Sequence, residues 1–140
     1  MTKLTRHAIR IKAMQALFAQ DFDAGLSKEK AIQTALTLDE ASVKDNILTP
    51  EYLDVLVSGV IDHQSELESE IKKHLKRGWQ LSRLPKIDRL ILSIAIFEIK
   101  YIDIDDKVAI NEAVELAKEF GEDSASSFVN GVLKQVLNKA

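Results

Sequence analysis

Hydrophobic positions recur at helical spacing almost from end to end of the chain. Leu4, Ala8, Ile11 and Phe18, filled in by Met14 and Leu17, form one apolar stripe. They predict a first helix that starts near Thr2 or Thr5, either of which can cap it, and runs to about Gln20. Ser27 suits the cap of a second helix over about 28–38, with Leu26 stapled onto Ala31. The stretch from Asp39 to Leu48 has no clear period and reads as a loop. Thr49-Pro50-Glu51 then supplies a cap, a proline at the first helical position and an acid in the first turn. Leu53, Leu56, Val57, Val60 and Ile61 make the buried face of the helix that follows. Ser65-Glu66-Leu67-Glu68 reads as a capping box, which predicts a break near Gln64 and a fresh helix over 66–76, ended by Gly78.

Ser82 and Pro85 introduce a helix over about 84–101 that is apolar nearly all round, from Ile87 through Ile91, Ile94 and Phe97 to Ile99. Such a segment belongs at the centre of a bundle. Val108–Phe120 forms the next helix, closed by Gly121 as a left-handed cap. Ser124 caps a last helix over about 125–138, with Phe128, Val129, Val132, Leu133 and Val136 turned inward. The one hairpin-like dipeptide, Asn130-Gly131, sits inside a helical pattern rather than between alternating strands. No fixed repeat and no linker interrupt the series. The pattern predicts an all-α fold, a single domain over 1–140 built as a compact bundle of about seven helices.

Composition narrows the function. Charged residues at 29% and hydrophobic ones at 46% are those of an ordinary soluble globule. No apolar run reaches the length of a membrane span, and the charged N-terminus lacks a signal peptide's apolar core, so a cytoplasmic protein is expected. Cysteine is absent, which removes disulfides, thiolate zinc sites and thiol nucleophiles. His63 and His74 would lie about 16 Å apart along a helix, too far to share a metal. The acidic Asp103-Ile104-Asp105-Asp106 turn lacks the glycine and closing glutamate of an EF-hand loop. No glycine-rich phosphate loop appears. A non-enzymatic protein with no cofactor and no metal is expected.

Charge distribution adds the one feature with a chemical direction. The net charge is −3, yet the first twenty residues hold Lys3, Arg6, Arg10 and Lys12 with His7, and no acid precedes Asp21. Lys3, Arg6, His7 and Arg10 fall at i, i+3, i+4 and i+7, one face of a helix. A solvated helix face is the ordinary explanation of such a cluster. Cations at a helix N-terminus oppose the macrodipole, however, and no acids are interleaved to pair with them. The same face can follow a phosphate backbone, with arginines able to stack on bases or fork to them.

Three motifs carry a resemblance. Val108-Ala-Ile-Asn-Glu-Ala-Val-Glu-Leu-Ala-Lys-Glu-Phe-Gly121, followed by Phe128-Val-Asn-Gly-Val-Leu133, resembles the signature of the NusB family. Arg6-x-x-x-Arg10 followed by Ala13-Met-Gln-Ala-Leu-Phe18 is similar to that family's arginine-rich opening, and Ile87–Glu98 to its central helix. The resemblance implies two packed helical halves and a transcription antitermination role. It implies binding of boxA RNA, mainly in ribosomal RNA leader transcripts, as a heterodimer with the small-subunit ribosomal protein NusE. It further implies a complex of RNA polymerase with NusA and NusG. On the matching positions it implies an RNA surface of Arg6, His7 and Arg10 with Lys3 at its edge, joined by Phe120, Ser124 and Phe128. Asp88 matches an acidic position that faces NusE. Phe120 and Phe128 suit the bundle core as well as base stacking.

The opening departs from the family, whose arginines are often consecutive, whereas this tract reads Thr5-Arg6-His7-Ala8-Ile9-Arg10. Weaker RNA binding by the chain alone, and more reliance on the partner, are therefore expected. His7 adds charge only when protonated, so binding should strengthen below its ordinary pKa of about 6.5. Two other functions remain open at this stage. Some RNA cytosine methyltransferases carry a NusB-like domain, a reading that needs a second, cofactor-binding domain. A pure protein-interaction module would bind NusE without responding to RNA. Some family members also dimerise through the surface that otherwise receives RNA or partner, so the resemblance admits a homodimer.

Overall fold

The structure, a computed structural model, describes residues 4–38 and 49–137. The expected loop over 39–48 and Lys3 lie outside them. Among the described residues there are seven α-helices, one short 3-10 turn and no strand. The helices are α1 (Arg6–Phe22), α2 (Lys28–Thr37), α3 (Glu51–Asp62), α4 (Gln64–Lys73), α5 (Lys86–Tyr101), α6 (Asp106–Phe120) and α7 (Ala125–Leu137). The chain divides into two compact units, Met1–Gly59 and Val60–Ala140.

In the first unit, Thr5 is the cap of α1, its hydroxyl accepting from the Ala8 N–H at 3.0 Å. Ser27 does the same for α2 through Lys30, at 3.1 Å. α3 opens at Glu51, one residue past the expected proline start, with the Pro50 carbonyl accepting from the Leu53 N–H at 3.0 Å. The inward face of α1 differs from the expected stripe. Ile9, Ala13, Met14, Ala16 and Leu17 are buried, while Leu4, Ala8 and Ile11 are half-buried and Phe18 is exposed. α1 packs on α2, and both helices bring alanines to the core, Ala13 and Ala16 from α1 and Ala31 and Ala35 from α2. Small side chains let two helix backbones come close, so the buried face follows the alanines rather than the largest residues.

In the second unit, the break between α3 and α4 falls at His63, where the sequence predicts it, but by another device. Ser65 lies inside the first turn of α4, and His63 holds the cap position without a side-chain hydrogen bond. The His63 ring instead packs edge-on against Tyr101 and Phe97, with centroids 4.3 and 5.8 Å away. A tertiary contact fixes this break, so the local capping pattern misplaced the helix start by two residues. α5 is the central helix as expected. Eight consecutive residues, Ile91 to Glu98, are buried, and α4, α6 and α7 all pack on it. Within that run the Ser93 hydroxyl donates to the Arg89 carbonyl at 2.9 Å, which satisfies the buried polar group.

α6 starts two residues earlier than expected because the Asp105 carboxylate accepts from the Lys107 N–H at 2.9 Å. The acidic turn is a helix cap. Gly121 ends α6 with φ −91° and ψ 178°, an extended conformation rather than a left-handed one. Its lack of a side chain answers to space: a Cβ there would meet Ala125 Cβ at 2.5 Å and the Ala117 carbonyl oxygen at 2.8 Å. On α7, Val129, Val132, Leu133 and Val136 are buried as expected, whereas Phe128 is only half-buried.

Candidate nucleic-acid interface

The first unit contributes the cationic strip of α1. Arg6 is exposed, and its guanidinium carbon lies 3.7 Å from the centroid of the Tyr52 ring on α3. A cation over an aromatic face is held in place while its N–H groups stay in water, which pre-orders it for an anion. His7, one residue on, is half-buried. Arg10 is 3% exposed, and Lys12 is buried as well; both are engaged in interactions within the chain. The strip therefore runs from solvent at Arg6 into the interior at Arg10. The shift follows from the inward face described above: at 100° per residue, a core centred on Ile9, Ala13 and Leu17 takes in Arg10. Tyr52 had no part in the sequence pattern of the strip. Nothing local links it to Arg6, forty-six residues away.

The second unit contributes a pocket of 740 Å³ lined by Trp79, Arg83, Asp88, Ser124 and Phe128, among others. Ser124 is exposed at the start of α7, and the Phe128 ring stacks against Trp79 with centroids 6.0 Å apart and planes 25° from parallel. Phe120 is 39% exposed at the end of α6 and is not part of the pocket lining. The choice left open for the two phenylalanines resolves against full burial for both. Asp88 is buried at the pocket, its Oδ1 without a hydrogen-bond partner among the described residues. Burial raises its carboxyl above the ordinary carboxylate range, and the negative charge of Glu122 adds to the rise. The close-packed Gly121 brings this carboxylate near the α6–α7 turn, since a Cβ on Gly121 would stand 3.4 Å from Asp88 Oδ1.

Trp79 is the residue the sequence pattern did not single out. Its signal was present: the chain's single tryptophan stands in the polar, basic run Lys76-Arg77-Gly78-Trp79-Gln80, where no apolar period would place it in the core. Among the described residues, no group of three or more His, Asp or Glu side chains is arranged to hold a metal ion, and no helix is long and apolar enough to cross a membrane.

Among the described residues the fold is all-helical, with an exposed arginine over an aromatic ring in one unit and an aromatic-lined, cation-flanked pocket in the other. The family model that matches is that of the NusB family, over residues 7–138. The transcription antitermination protein NusB of Enterococcus faecalis is 48% identical over 99% of this chain and 92% of its own length. Among solved structures, T. maritima NusB superimposes with a TM-score of 0.83 at 29% identity, covering 99% of this chain and 94% of that one. A structure of the antitermination factors NusB and NusE in complex with dsRNA shares the fold, with a TM-score of 0.80 at 24% identity over 96% of this chain and 97% of that one. The chain belongs to the NusB family.

Proposed function

We propose that this chain is a cytoplasmic transcription antitermination factor. It binds boxA RNA of nascent transcripts, mainly ribosomal RNA leaders, together with NusE. The pair then joins RNA polymerase with NusA and NusG to suppress premature termination. The role is one of binding, without a chemical step of its own. The observation that carries this reading is the match to the NusB family across residues 7–138, which takes in every described residue of the proposed surface except Arg6.

The proposed roles of those residues differ with their exposure. Arg6 is the direct phosphate or base contact on α1, because it is exposed and held by Tyr52. His7 stands beside it, and Lys3, outside the described residues, is assigned to the same surface from the sequence alone. Arg10, buried at 3% exposure, serves as a positioning residue that fixes the first turns of α1. Phe120, Ser124 and Phe128 present partly exposed ring faces and a hydroxyl to RNA. Asp88 faces NusE: a buried carboxylate oxygen lacking a donor favours a partner that brings one.

Titrating labelled boxA RNA with the protein at two salt concentrations tests the reading, with a scrambled strand as control. Binding should weaken with salt and prefer boxA. Arg6→Ala should bind less tightly and with a salt slope smaller by about 0.7 for each phosphate it no longer neutralises. Equal affinity for boxA and the scrambled strand, or an Arg6→Ala protein indistinguishable from the parent, would remove the assigned surface.

A further inference from the structure

The densest run of cations in the chain lies outside the N-terminal strip. From Ile71 to Ile87 there are six lysines and arginines and no acid. The middle of this run is the connection between α4 and α5, where Lys76, Arg77 and Arg83 are exposed. Among the described residues none of these three is paired with a carboxylate. Gly78, at φ +88°, takes the third place of a turn closed by the Trp79 N–H on the Lys76 carbonyl at 2.9 Å. That backbone is one that glycine adopts readily, and it sets Trp79 at the surface, 53% exposed. Leaving half an indole in water forgoes a large part of its burial free energy, so folding alone does not account for it. Phe128 braces the ring from one side, and Arg83 and Gln80 line the same pocket. The pocket's two carboxylates, Asp88 and Glu122, come from α5 and the α6–α7 turn; the connection itself brings only cations.

We propose that the α4–α5 connection is a second single-stranded RNA-binding element, in which Trp79 stacks on an unpaired base and Lys76, Arg77 and Arg83 take the flanking phosphates. The proposal rests on the RNA-binding reading and extends it to a segment for which the family resemblance supplied no residue. A braced aromatic face among unpaired cations is the combination that single-stranded nucleic acid uses: a π-surface for any base and a positive track for the backbone. An acidic protein partner would satisfy the cations but leave the indole face without a planar neighbour. The arginines add a second means of holding bases, by stacking their guanidinium planes.

Because Trp79 is the only tryptophan, its emission reports directly on this element. The full chain is titrated with single-stranded boxA RNA while Trp79 fluorescence and the anisotropy of a labelled strand are followed together. The proposal expects emission to fall in step with the anisotropy rise. Trp79→Ala should weaken binding by roughly five-fold or more, with Trp79→Phe close to the parent. The Lys76→Ala/Arg77→Ala/Arg83→Ala protein should show a salt slope smaller by about 2. Thermal unfolding of each variant checks that the fold is kept. Binding by anisotropy with unchanged emission and an unaffected Trp79→Ala protein would overturn the inference and leave the RNA reading standing. A complete lack of RNA binding would end both. Emission that answers to NusE and not to RNA would make the connection a protein-docking surface and overturn the inference.

Discussion

At the residue scale, three side chains or their absence separate stability from function. Gly121 and Gly131 both lie near the C-terminal helix, yet their substitutions should have opposite signs. A Cβ on Gly121 collides with Ala125 and the Ala117 carbonyl, so Gly121→Ala should destabilise the protein by about 1–3 kcal/mol and lower its Tm by several degrees. A Cβ on Gly131 meets nothing within 4 Å in a helical backbone, so Gly131→Ala should stabilise by about 0.5–1 kcal/mol. Calorimetry of the two variants beside the parent checks the pair. Asp88, proposed to face NusE, is the counterpart. Its carboxyl is raised in the folded state, chiefly by burial, so folding disfavours the charged form. Stability is then lost as pH rises from the ordinary carboxylate range through the raised value, and the charged group remains a cost at neutral pH. Asp88→Asn should therefore stabilise the free protein at pH 7, flatten that acid-side slope, and weaken NusE binding. Urea unfolding across pH 4–8 reads the first two effects, and partner titration the third.

At the element scale, helices whose ends are set by neighbours in sequence were legible and those set by neighbours in space were not. Thr5, Ser27 and Asp105 cap their helices through bonds spanning two or three residues, within reach of a local pattern. Asp105 is one of three aspartates in its turn, which reads from the sequence as a solvated acidic turn without marking which of them is the cap. The start of α4 depends on His63 meeting Tyr101 and Phe97, from thirty-four to thirty-eight residues away, which no local signal encodes. The same group couples α4 to α5 by charge. Tyr101 donates its hydroxyl to Glu66, and Lys100 Nζ lies 3.3 Å from the same carboxylate. The Tyr101 hydrogen bond, the largest cause, with Lys100 beside it, holds Glu66 below the ordinary carboxylate range. A lowered carboxyl stabilises the fold above its unfolded pKa and ceases to as pH falls through the lowered value. In Tyr101→Phe the Glu66 titration should move up toward the ordinary range, as carbon-detected NMR would record, and the stability that Glu66 contributes above its unfolded pKa, with its loss on acidification, should shrink.

At the scale of the whole molecule, the fold class is readable because α5 is apolar nearly all round and the other predicted helices each show a helical period, and the structure has no strand among its described residues. The family could be recognised from three motifs spread over the chain, and the match over residues 7–138 bears that out. The candidate site was legible in part. Arg6 and Ser124 are exposed, whereas the depth of Arg10 depends on which face of α1 meets the core, and that face is chosen by alanines. Trp79 escaped because a lone aromatic in a basic run has no periodicity to flag it. The proposed RNA residues fall in both compact units, Arg6 in the first and Phe120, Ser124 and Phe128 in the second. A factor that works as an RNA–NusE assembly requires that the two binding events be linked energetically. Linkage is reciprocal: whatever factor NusE adds to RNA affinity, RNA must add to NusE affinity. The direct test is the NusE dissociation constant measured with and without saturating boxA RNA, beside the RNA dissociation constant with and without NusE. Each ligand should tighten the other by the same factor. An unchanged NusE affinity in the presence of bound RNA would contradict the proposed role.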